Sequence, residues 1–226
     1  MAIADDEGTV EVSSPAEGVC LVRIRRERKL NALSAAVERR LAEALDGETV
    51  RACRCLMIAG GERAFSAGAD LTELRDLSPE AVIRYYEQTG AVYEQLAELP
   101  QPTVAAISGY CLGGGLELAL AVDLRVADAT TVFGLPEVSI GILPSSGGTL
   151  RLARMLGPAR TKELVLLGDR FDGARARDLG LVTELVEPGA AEARGLELAS
   201  RLAALPPLAV AVTKRAIDAM AESSTR

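Results

Sequence analysis

Short apolar, β-branched runs recur along the first two thirds of the chain, at 19–24, 55–58, 103–107 and 124–127, with a briefer one at 131–133. Turn residues such as Gly60-Gly61 and Pro100-Gln101-Pro102 bound several of them, so they read as buried strands. Between them the spacing becomes helical. Ser34 stands ahead of Val37, Leu41 and Leu45, four residues apart, which predicts a capped helix through Leu45. Ser78-Pro79-Glu80 opens a longer one, with Pro at the first helical position. It runs to Leu99, marked by Val82, Tyr85, Tyr86 and Val92 and weakened by Gly90. Strands alternating with helices predict an α/β fold with right-handed crossovers. The last third reads as helices at 147–156, 158–167, 172–179, 190–204 and 207–221, with one strand at 182–186. The expected organisation is an α/β core over 1–150 followed by a helical region over 151–226.

Composition narrows the chemistry. The chain has 226 residues, 49% hydrophobic and 25% charged, which excludes a disordered or fibrous class. A net charge of −7, 3% aromatic residues and no Trp argue against nucleic-acid binding. There is no histidine at all, which removes Ser-His-Asp and Cys-His machinery and imidazole metal sites. Acid–base work then falls to Glu, Asp, Lys, Tyr or Cys. The cysteines, Cys20, Cys53, Cys55 and Cys111, form no C-x-x-C pair, so no metal site is expected and reduced thiols suit a cytoplasmic compartment. The start, MAIADDEGTVEV, lacks the basic and apolar regions of a signal peptide. Charges interrupt every apolar stretch before 18 residues, so no membrane association is expected.

Two glycine-rich loops and two isolated carboxylates carry the candidate chemistry. The first loop is R-A-F-S-A-G-A-D-L, 63–71; the second is S-G-Y-C-L-G-G-G-L-E-L-A-L-A, 108–121. Gly113 to Gly115 put bare backbone at a helix start, where unpartnered N–H groups suit an anion or a carbonyl oxygen gaining charge. A tight turn packing a helix on a sheet is the bland alternative. Neither G-x-G-x-x-G nor the phosphate-loop pattern is present. Glu117 is the only charge between Pro102 and Asp123, and Glu137 the only one between Asp128 and Arg151. A carboxylate in an apolar segment either points to water or is desolvated, and desolvation raises its pKa toward neutrality. Two such groups make an acid–base pair at neutral pH. Asp70 reads as a cap for the turn after it, Asp123 with Arg125 as a structural polar pair, Tyr110 as a packing residue, and Cys111 as a buried hydrophobe.

The same segments resemble the enoyl-CoA hydratase/isomerase, or crotonase, family. The likeness runs through R-K-L-N-A-L (28–33), F-S-A-G-A-D-L (65–71), G-Y-C-L-G-G-G-L-E-L-A (109–119), D-L-R-V-A (123–127), F-G-L-P-E-V-S-I-G-I-L-P (133–144), G-G-T-L-R-L (147–152) and the stretch 168–182. The resemblance implies a crotonase-like spiral of ββα units followed by a C-terminal helical region. It implies an acyl-CoA thioester substrate, and no cofactor, since coenzyme A is part of that substrate. The family's oxyanion-hole N–H groups fall on Ala69 and Gly114, and its catalytic glutamates on Glu117 and Glu137. Contacts to CoA and the acyl group would come from the main chain around Arg28, Lys29 and Leu30 and from Ala67, Gly68, Asp70 and Leu71.

In the implied reaction Glu117 activates water for C3 and Glu137 delivers a proton to C2. Family isomerases often keep only the second glutamate, so the pair favours a hydratase over a Δ3-Δ2-enoyl-CoA isomerase or a non-catalytic acyl-CoA-binding scaffold. The resemblance also implies a homo-oligomer, a trimer or dimer of trimers. Two departures bear on this. Ser145 stands where the family often has glycine, which would alter water placement, and the sequence ends at Arg226 where family members usually continue, which would weaken CoA binding and the trimer.

Overall fold

The computed structural model describes residues 7–75, 77–78, 80–81, 83–85 and 90–223. Its main sheet has six strands in the order β1-β2-β3-β5-β7-β10. These are β1 (Thr9–Ala16), β2 (Val19–Arg25), β3 (Cys55–Ala59), β5 (Thr103–Ile107), β7 (Leu124–Asp128) and β10 (Glu184–Val186). β1 and β2 pair antiparallel; every other pairing is parallel. A second sheet takes the order β4-β6-β8-β9, from β4 (Ala64–Ser66), β6 (Tyr110–Leu112), β8 (Val132–Gly134) and β9 (Phe171–Asp172). Each of β3, β5 and β7 thus leads into a short strand of the second sheet. The chain winds through the same two-strand step three times.

The predicted strands at 19–24, 55–58, 103–107 and 124–127 all lie in the main sheet, and their side chains are almost all buried, as parallel strands covered on both faces require. Sequence patterning missed four strands. β1 is an edge strand with a mostly exposed face, so it lacks a continuous apolar run. β4, β6 and β9 are two or three residues long, too short to show a period.

Among the helices, α1 (Ala35–Asp46) starts where Ser34 accepts a hydrogen bond from the Val37 amide, as its sequence predicts. The short α2 (Glu48–Ala52) and α3 (Leu71–Leu74) were not anticipated. Of the helix expected from Ser78 to Leu99, Pro79, Val82 and Tyr86 lie outside the described residues; 80–81 and 83–85 are helical, and α4 spans Ala91–Ala97. α5 spans Gly114–Leu120. The two helices expected either side of Gly157 form one element, α6 (Gly148–Leu167), broken where Gly157 takes φ 76°, ψ 166°. α7 (Gly173–Asp178), α8 (Ala191–Ala203) and α9 (Pro207–Ser223) follow.

The apolar interior has two parts. One fills the space between the sheets and is closed by α1, α4, α5 and α6. The other lies on the far face of the main sheet under α8, where Gly195 lets the helix approach: a Cβ there would lie 3.1 Å from the Ala106 methyl. β10 and α8, from the last third of the chain, complete this side. α9 leaves Leu208, Val212, Ile217 and Met220 exposed, while Lys214 reaches back to Asp123 at 2.9 Å.

The expected Asp123–Arg125 pairing runs through the main chain, where Arg125 Nη2 donates to the Asp123 carbonyl at 3.3 Å. The Asp123 carboxylate accepts from the Thr103 amide and hydroxyl and from Lys214. The Arg125 guanidinium also donates to the carbonyls of Leu181, Val122 and Ala119. Tyr110 is half-buried with the Arg170 guanidinium 5.8 Å from its ring centre. Cys111 is fully buried and burial holds its thiol well above the usual range, as a packing residue requires.

Candidate active site

Both glycine loops open onto one cleft of about 300 Å³. The first loop follows β4 and contributes Ala67 to Thr72; the second follows β6 and contributes Gly113, Gly114 and Glu117. Because β4 and β6 are adjacent parallel strands, the loops leave the sheet side by side. A Cβ built on Gly68 would lie 3.2 Å from the Gly114 nitrogen, and one on Gly114 would lie 3.6 Å from the Ala69 nitrogen. Among the described residues neither the Ala69 N–H nor the Gly114 N–H is donated to any acceptor, and both residues line the cleft. Such a pair of converging donors suits an oxygen that gains negative charge.

The first loop is held from below by a buried polar cluster that sequence reading did not identify. Arg26 Nη1 meets Asp70 Oδ2 at 2.6 Å with both side chains buried. The Asn31 amide donates to the Ala64 carbonyl at 2.8 Å and accepts from the Arg26 amide at 2.7 Å. Leu30 and Asn31 hold φ of 50° and 54°, the left-handed region that side chains rarely adopt, and this turn sends the Leu30 carbonyl to the Ala67 amide at 2.9 Å. Leu30 and Asp70 thus fix the loop whose main chain is the expected CoA contact. Asp70 lines the cleft, but its carboxylate is committed to Arg26 and to capping Thr72, and Leu30 shapes the loop from outside the cleft. Of the basic pair before them, Lys29 lines the cleft and Arg28 lies exposed beyond it.

Glu117 and Glu137 face the same space. Glu117 lies on α5 and is nearly fully buried, its Oε1 accepting from the Ser146 and Gly148 amides, each at 2.9 Å. Gly148 is required for this approach, because a Cβ there would sit 2.5 Å from Glu117 Cγ. Burial raises the Glu117 pKa above the ordinary carboxylate range, while the two amides and Arg151 pull it back. Glu137 opens a 3₁₀ turn (Glu137–Ile140) after β8. It too is buried, and its Oε2 has no hydrogen-bond partner among the described residues. Burial, reinforced by the charge of Glu117, pushes its pKa up to about 7. One carboxylate is thus aimed by two amides, and the other is poised to hold or release a proton near neutrality.

Three further residues at the cleft were not singled out by their sequence. Glu38 of α1 accepts from the Tyr93 hydroxyl at 2.9 Å, and Ser146 supports Glu117. Ser145, expected to intrude on the site, is exposed and does not line the cleft; Ser146 does. No group of three or more His, Cys, Asp or Glu side chains able to hold a metal occurs among the described residues.

Residues 14–226 match the family model for enoyl-CoA hydratase/isomerase. The chain belongs to this family. It is 40% identical over 215 residues to the mouse "Enoyl-CoA hydratase domain-containing protein 2, mitochondrial", covering 92% of this chain and 72% of that one. It is 33% identical over 203 residues to a short-chain-enoyl-CoA hydratase of Clostridium acetobutylicum, covering 88% and 77% of the two chains. The crystal structure of an enoyl-CoA hydratase from Bacillus anthracis superposes with a TM-score of 0.88 at 36% identity, covering 93% of this chain and 82% of that one. The fold is therefore the crotonase fold that the sequence motifs imply, a spiral of ββα units with C-terminal helices. Family membership supports a hydratase/isomerase activity; the reaction and substrate rest on the cleft.

Proposed function

We propose that the protein is an enoyl-CoA hydratase that adds water reversibly across the 2,3 double bond of a 2-enoyl-CoA thioester. The observation that carries this reading is the opposition of two unengaged backbone donors, Ala69 and Gly114, to two buried carboxyl groups in one cleft. In the reaction the thioester oxygen accepts from both N–H groups, which stabilise the enolate. Glu117, its Oε1 tied to Ser146 and Gly148, uses its other oxygen to take a proton from the water that attacks C3. Glu137 gives its proton to C2, a role its pKa of about 7 suits. Dehydration runs the same steps in reverse. No cofactor is needed, because the coenzyme A thioester supplies the acidity at C2. Lys29, at the rim, offers a cation to the CoA phosphates.

A Δ3-Δ2-enoyl-CoA isomerase is the second reading, favoured by the unpartnered Oε2 of Glu137, which can carry a proton between two carbons without water. The test is to add crotonyl-CoA and follow the absorbance of the conjugated thioester. A hydratase bleaches it. An isomerase leaves it unchanged and instead creates that absorbance from a 3-enoyl-CoA. A non-catalytic acyl-CoA scaffold does neither.

A further inference from the structure

We propose that Arg151 is a positioning residue for Glu117, clamping the loop whose two amides aim that carboxylate; this rests on the hydratase reading of the same cleft. The Ser146 and Gly148 amides reach Glu117 Oε1 only while residues 146–148 keep their shape. Arg151 holds that shape at two points. Its Nη1 donates to the Ser146 carbonyl at 3.0 Å, and its backbone amide donates to the Gly147 carbonyl at 2.9 Å. The Gly147 carbonyl and the Gly148 N–H share one planar peptide, so a bond to the first orients the second toward Glu117. The guanidinium also lies against Gly147, where a Cβ would strike Nη1. The other arm of the fork, Nη2, donates to Glu94 Oε1 of α4 at 2.8 Å, and the Arg151 side chain is only 13% exposed. The planar guanidinium thus spans from α4 to the loop, which the point charge of a lysine does not.

Closing the start of a helix does not account for this residue. Arg151 is the fourth residue of α6, and a cation in the first turn opposes the helix dipole. What it serves is the buried Glu117, whose pKa its charge helps to hold down. Its anchor, Glu94, lies 57 residues away in sequence and is the neighbour of Tyr93, which lines the cleft. Arg151 itself does not line the cleft, so it acts on the reaction through the peptides of 146–148. A tie that merely joined α4 to α6 would affect stability alone. One that aims two amides at Glu117 Oε1 sets the direction of the other carboxylate oxygen and the basicity of the group.

The test uses Arg151→Lys, which keeps the cation but cannot hold Ser146 and Glu94 together, and Arg151→Met, which removes both cation and fork. The Glu117 carboxyl is titrated by NMR in unliganded protein labelled with 13C at glutamate, its signal identified by its loss in Glu117→Gln. The charged and titratable groups around Glu117 are Glu38 on α1, Tyr93 on α4, Glu137 on the 3₁₀ turn and Arg151 on α6. Loosening the amides should raise the Glu117 pKa by about one unit in Arg151→Lys and further in Arg151→Met. It should lower kcat for crotonyl-CoA about tenfold at unchanged KM, the scale of one hydrogen bond. An unmoved Glu117 titration in folded Arg151→Lys overturns the proposal, because charge alone would then explain Arg151. If neither Arg151 variant folds, Glu94→Ala, at an exposed position, decides. Loss of that anion by itself lowers the Glu117 pKa, whereas release of the clamp raises it, so a fall or no change overturns the proposal. A raised Glu117 pKa in variants of a protein that does not hydrate crotonyl-CoA upholds the positioning role and overturns the hydratase reading instead.

Discussion

Glu117 commits one oxygen to two amides, whereas Glu137 keeps Oε2 without a partner among the described residues. That asymmetry predicts different consequences of removing each. Glu137→Gln should lose hydration and, with it, deuterium uptake from solvent at C2. Glu117→Gln should also lose hydration, because water loses its base, yet should retain much of any 3-enoyl to 2-enoyl isomerisation, which needs no water. Both activities measured in both variants decide the matter; equal loss of isomerisation in Glu117→Gln contradicts the division. Glu137 also links stability to pH. Its folded pKa, about 7, lies above the ordinary carboxylate value of 4.5, so the folded state favours the proton. Stability from this group is complete below about 4.5 and is lost as pH rises through about 7. Urea denaturation should show Glu137→Gln gaining on the wild type at pH 8 relative to pH 4.5. Glu117 and Glu137 were legible as candidate groups because no other charge shares their segments. Glu38 was not, since Arg39, Arg40 and Glu43 surround it in an ordinary charged helix and only contact with Tyr93, far along the chain, marks it out.

At the scale of elements, the site depends on loops that no periodicity announces. β4 and β6 have three residues each, and the Leu30-Asn31 turn owes its shape to a buried cluster drawn from Arg26, Ala64 and Asp70. The long buried strands were readable because most of their side chains are apolar, with Arg23, Arg25, Arg125 and Asp128 the charged exceptions. The short ones are defined by what they pair with, which sequence spacing does not record. The start of α6 illustrates the precision required. Gly148→Ala would push a methyl against Glu117 Cγ and Oε1, at 2.5 and 2.7 Å, without adding charge or changing the protein's surface. It should reduce kcat by about 10² or more, as displacement of a reacting group does, while circular dichroism stays that of the wild type. Near-normal turnover in the folded variant would show that Glu117 does not need its present position.

For the molecule as a whole, α9 is the exposed feature. Leu208 and Val212 lie one turn apart on a face that is open to solvent, and its described inward ties are Lys214 to Asp123 and to the Gln101 carbonyl. We expect self-association through this face. Light scattering over a dilution series should show oligomers in the wild type and monomers for Leu208→Glu/Val212→Glu; identical masses contradict the expectation. The winding of the chain has a different consequence. The Ala69 and Gly114 amides belong to successive turns of the spiral, one after β4 and one after β6. Their separation is therefore a measure of the pitch between neighbouring coils, set by the register of β4 on β6. A single oxygen that accepts from both would act as a rivet through two coils. Occupancy should slow hydrogen exchange in β4 and β6 together, including amides that never meet the ligand, so that the fold's winding and its affinity for a thioester oxygen become one mechanical property.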